Sequence, residues 1–99
     1  SECTINLPVK GLNASGTFYI SFLNLPRHRI YAPQQVQLLK DGVAYKTIDL
    51  KPEDSPEKGE MMKATVPADL NGTEQLSIKI SCLKKPGTQM GIDEIAFIP

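Results

Sequence analysis

The chain has 99 residues, 40% apolar and 22% charged. Its eleven basic and eleven acidic side chains cancel, which leaves no field of one sign to gather nucleic acid or anionic lipid. The length suits one modest core in a single domain spanning residues 1–99, and apolar runs as short as Phe18 to Leu23 exclude membrane insertion by a helix.

Eight prolines and seven glycines punctuate the sequence, and apolar residues recur at every second position rather than along a helical stripe. This pattern predicts seven strands. The first covers Cys3 to Val9, with Cys3, Ile5 and Leu7 on one face. The second, Thr17 to Leu25, turns Phe18, Ile20 and Phe22 inward and Tyr19, Ser21 and Leu23 outward. A loop from Pro26 to Gln34 follows.

Gln35 to Lys40 and Val43 to Leu50 flank Asp41-Gly42, two residues that tolerate the positive φ angles of a primed hairpin turn. That turn sets Leu38 opposite Tyr45 and Val36 opposite Thr47. Val36, Leu38, Val43 and Tyr45 then share a face. Lys51 to Gly59 reads as a charged, mobile loop. Glu60 to Val66 is the fifth strand, and Pro67 to Gly72 a turn. Glu74 to Leu83 alternates most regularly, with Leu76, Ile78, Ile80 and Cys82 toward the core.

The last strand, Met90 to Ile98, contains an anomaly. Asp93 has the parity of Ile95 and Phe97. Either it points into the core, where a carboxylate needs donors or a metal, or a bulge resets the register. Together these elements predict an all-β, two-sheet antiparallel sandwich of about seven to eight strands. Its connectivity is jelly-roll or immunoglobulin-like. First and last strands in separate sheets would favour the immunoglobulin-like form.

Two cysteines near opposite ends cannot form a CxxC motif or a four-ligand zinc site. Both have inward parity, which favours a Cys3–Cys82 disulfide over two buried thiols. A bridge requires an oxidising compartment, so the expected location is extracellular, periplasmic or at the cell surface.

The catalytic motifs are missing. His28, the sole histidine, sits between Arg27 and Arg29 with no nearby nucleophile. Asp54, Glu57 and Glu60 lie in the polar loop and read as a solvated charge run. The chain is therefore expected not to be an enzyme. One segment has binding character: Asn24 to Gln35, which carries Arg27, His28, Arg29 and Tyr31. Arginine offers a planar fork for carboxylate or sulfate, and tyrosine an apolar face with a hydroxyl. The functional reading is a saccharide site. The bland reading is a solvated crossover loop whose tyrosine packs down.

Three stretches carry a resemblance. They are Gly16-Thr-Phe-Tyr-Ile-Ser-Phe, the hairpin from Gln37 to Leu50, and Leu76-Ser-Ile-Lys-Ile followed by Gly91-Ile-Asp-Glu-Ile-Ala-Phe. In these the chain resembles the galactose-binding-like jelly-roll domains, which include many carbohydrate-binding modules. The resemblance implies a non-catalytic accessory module that binds saccharide or glycoconjugate, excised from or appended to a larger secreted or surface protein. It also implies a structural calcium between a closing-strand aspartate, here Asp93, and an early glutamate, here Glu2. The alternative is that Asp93 accepts backbone N–H bonds at a bulge. No cofactor beyond that calcium is called for. The chain departs from the family in being short for an eight-stranded roll and in lacking tryptophan. A second reading remains open: an immunoglobulin-like structural or adhesion domain that contacts a protein partner.

Overall fold

The computed structural model describes residues 2–11, 14–25, 28–50, 61–82 and 89–99. Nine strands lie among them: β1 (Glu2–Pro8), β2 (Ser15–Leu23), β3 (Ile30–Tyr31), β4 (Gln35–Lys40), β5 (Val43–Asp49), β6 (Met61–Asp69), β7 (Gln75–Ser81), β8 (Gln89–Met90) and β9 (Ile92–Ile98). A four-stranded sheet, β1-β7-β4-β5, packs on a three-stranded sheet, β6-β2-β9, and β3 and β8 form a small separate pair. The protein is an all-β sandwich, and no helix occurs among the described residues.

Alternation builds the core. Leu76, Ile78 and Ile80 of β7 and Val36 and Leu38 of β4 are fully buried. Phe18, Ile20 and Phe22 of β2, with Ala64, Val66 and Ala68 of β6, meet them from the other sheet. Burying each larger side chain is worth about 1.5–3 kcal/mol against leaving it in water.

Among the long strands, only β4 and β5 are consecutive partners within one sheet. Each other connection crosses between the two sheets. The first and last strands do lie in separate sheets, as in immunoglobulin-like domains. Those domains, however, pair their first strand with their second. Here β1 pairs with β7, and β2 lies between β6 and β9.

Several local expectations are corrected. The hairpin turn is as expected: Lys40 pairs with Val43, and Asp41 and Gly42 have φ of 49° and 82°. The register then slips at Leu38/Leu39, so Leu38 stands opposite Lys46 and Val36 opposite Ile48. Tyr45 is the extra residue of that bulge, and Val43 is 69% exposed rather than inward. Strand β6 runs through Pro67 to Asp69, where a turn was expected. A proline is tolerated there because β6 is an edge strand, where not every N–H needs a ladder partner. The short pair β3 and β8 is parallel and has no alternating run to announce it. The charged stretch from 51 to 60, including Asp54, Glu57 and Glu60, lies outside the described residues.

A bulge accounts for the Asp93 anomaly. Ser21 pairs with Glu94, but Phe22 pairs with Ile92, so Asp93 is the additional residue. It is exposed, and Ile92 turns toward the core beside Ile95 and Phe97.

The expected disulfide is not formed; Cys3 and Cys82 are both thiols. Parity was read correctly, since Cys3 stands opposite Ile80 on the core side of adjacent strands. Register is the obstacle. Cys82 lies two residues beyond Ile80, a diagonal relation that separates Cα atoms by roughly 7–8 Å, beyond the usual span of a bridge. The cysteines therefore lend no support to an oxidising compartment.

Candidate functional site

Two surfaces of the three-stranded sheet present side chains suited to a ligand. One is the loop that follows β2. Asn24 is buried, and its Oδ1 accepts a hydrogen bond from Ala32 N at 3.2 Å, which anchors the loop base. Leu25 and Ile30 exchange backbone bonds at 2.8 and 3.1 Å, and His28 N donates to Leu25 O at 3.0 Å. A tight turn results. Gln89 N donates to Arg29 O and Gly91 N to Tyr31 O, tying the turn to the start of β9.

His28 and Arg29 are exposed on this turn, and Tyr31 is half-buried in β3. Arg27 lies outside the described residues. Arg29 has φ of 59°, in the left-handed region that L side chains disfavour. Only one other described non-glycine residue, Asp41, shares that feature. Asp41 is compensated, because its carboxylate accepts bonds from Glu74 N and Gln75 N. The Arg29 guanidinium makes no hydrogen bond or ion pair with a described residue. The residue is exposed on an anchored turn.

The second surface is the outer face of the sheet itself. Its strands lay side chains in three rows. Lys63, Ser21 and Glu94 form the first, Thr65, Tyr19 and Ala96 the second, and Pro67, Thr17 and Ile98 the third. Tyr19 occupies the middle of the central strand and is 45% exposed. Around it stand a cation, a carboxylate and three hydroxyls. An aromatic ring lying flat among donors and acceptors can stack on an apolar sugar face while neighbours bond its hydroxyls. The Arg29 turn leaves β2 at the Ser21 end of this face, three residues beyond it.

Outward parity for Tyr19 and Ser21 was legible in the sequence. Their flanking rows were not, because β6 and β9 are distant in sequence and the β9 register depends on where its bulge falls.

The calcium residues stand on different sheets. Glu2 is exposed at the start of β1, with its carboxylate 3.5 Å from Lys79 Nζ. Asp93 is exposed at the β9 bulge. Among the described residues, no group of three or more His, Cys, Asp and Glu side chains is placed to hold a metal ion.

Electrostatics single out one further carboxylate. The Asn71 N–H, 3.0 Å from Asp69 Oδ1, holds the Asp69 carboxyl below its ordinary value. The Ser15 hydroxyl and the Lys40 charge act in the same direction. This group caps the turn after β6 and pairs with Ser15, two pairs beyond the Pro67–Thr17 row. No family model, curated protein or solved structure matches the chain.

Proposed function

We propose that this domain is a non-catalytic carbohydrate-binding module whose platform is the outer face of the three-stranded sheet. One observation carries the reading: Tyr19 is open to solvent at the centre of a sheet face, ringed by Lys63, Ser21, Glu94, Thr65 and Thr17. The exposed Arg29 fork beyond the Ser21 end favours a saccharide bearing carboxylate or sulfate.

The alternative is an immunoglobulin-like domain for a protein partner. It draws on β1 and β9 lying in separate sheets, and the pairing of β1 with β7 weighs against it.

Calorimetry against neutral, uronic and sulfated oligosaccharides tests the proposal. Binding to at least one class is expected, and Tyr19→Ala should weaken it about tenfold. Silence across the panel, or unchanged affinity in the variant, would count against it.

A further inference from the structure

Among the described residues, the three-stranded sheet has one strand fewer than the sheet it packs on. At one side the sandwich is closed, because β5 bonds across to β6: Lys46 Nζ donates to Pro67 O, and Asp69 N donates to Tyr45 Oη at 3.2 Å. Strands within a sheet are evenly spaced at about 4.8 Å. Counting from the closed side, β6, β2 and β9 lie beneath β5, β4 and β7. Nothing described lies beneath β1.

Burial follows this count. The inward residues of β7, Leu76, Ile78 and Ile80, are fully buried. Their partners on β1, Leu7, Ile5 and Cys3, are only half-buried although they share the same face. Ile92, Ile95 and Phe97 of β9 are likewise half-buried. No described strand pairs with the outer edge of β9. From Glu94 to Ile98 that edge is regular; the bulge at Asp93 ends it.

We propose that the outer edge of β9, beneath β1, receives one extended peptide strand from another polypeptide. The added strand would pair with β9 and turn its alternate side chains toward Ile5, Leu7, Ile95 and Phe97. The slot is one strand wide. A second folded copy would bring two sheets to this edge and collide with the overhanging β1. The chemistry of the guest follows from the row it joins: apolar β-branched residues inward, hydroxyl residues beside Ala96 and Ile98, and a basic residue beside Glu94. The site takes in the edge and the inner side of the sheet; the guest's outward residues would lie beside Glu94, Ala96 and Ile98, which also border the sugar platform.

The probe is the peptide acetyl-Ser-Thr-Val-Thr-Ile-Lys-Lys-amide, titrated into the isotope-labelled chain. Binding with Kd of about 1 mM or tighter is expected. Amide shifts should fall on Glu94 to Ile98 and methyl shifts on Ile5, Leu7 and Ile95. A peptide of the same composition with the alternation broken should bind about tenfold more weakly. Glu94→Lys should weaken binding about threefold, and a peptide with glutamate for lysine should restore it on that variant. Shifts confined to β5 and β6, or none at millimolar peptide, would overturn the proposal. So would indifference to the charge swap. A free chain that sediments as a dimer with β9 amides already protected would assign the slot to a second copy and overturn it too.

Discussion

Asp41 and Gln75 hold each other by two hydrogen bonds. Asp41 N donates to Gln75 O at 2.9 Å, and Gln75 N donates to Asp41 Oδ1 at 2.8 Å. The turn of the β4–β5 hairpin is thereby fastened to the start of the central strand β7. The same carboxylate oxygen also takes Glu74 N at 3.1 Å. Asp41 therefore does two jobs, adopting a positive φ and ordering the neighbouring strand.

Replacing it separates those jobs. Asp41→Ala loses the acceptor and strains the turn, and should cost roughly 1–3 kcal/mol in urea unfolding. Asp41→Asn keeps an acceptor and tolerates the backbone conformation, so it should cost less. Losses near zero in both variants would show that the carboxylate bonds contribute little.

Gly91 gives a second stability test. A Cβ at this position would collide with the Leu23 carbonyl and approach Ile30 Cγ2 within 2.8 Å. Backbone and loop must then move apart. Gly91→Ala should cost about 1–3 kcal/mol and shift the amides of Arg29 and Tyr31, whose carbonyls bond this segment. A variant as stable as the parent would mean that the strand and the Arg29 turn are not in close contact.

The hairpin and the β7 alternation were legible in sequence because both are local. Asp-Gly sets its own turn geometry, and Leu76, Ile78, Ile80 and Cys82 repeat with the pleat. Bulges were harder. The Asp93 parity conflict announced one without locating it. The bulge at Tyr45 gave no sign, because Tyr45 can lie against Lys40, whose Nζ is 3.8 Å from the ring centroid, once the register slips. Pro67 suggested a turn because its neighbour relations, which place it on an edge, are long-range. The Tyr19 platform is assembled from three strands distant in sequence, so only its central column could be read in advance.

The acid response should carry the mark of Asp69. Its carboxyl sits below the ordinary 3.8, chiefly through the Asn71 N–H. A depressed folded value means a stabilising contribution present above about pH 3.8 and lost as pH falls through the lower folded value. Nuclear magnetic resonance titration should find the Asp69 midpoint below that of an unstructured aspartate. Asp69→Asn should flatten the acid limb of the stability curve. A midpoint at or above the ordinary value would contradict the capping geometry.

The thiols offer a covalent check. Under denaturing, non-reducing conditions, alkylation should add to both Cys3 and Cys82. In the folded chain the half-buried Cys3 should react well before the buried Cys82. A bridged mass that resists alkylation until reduced would contradict the register of β1 on β7.

Amide shift mapping with whichever oligosaccharide of the panel binds best speaks most directly to the Tyr19 face. The largest movements should fall on Ser21, Tyr19, Lys63, Thr65 and Glu94, and in Tyr19→Ala they should require about tenfold more ligand. Movements centred on the four-stranded sheet, or none with any glycan, would contradict the assignment.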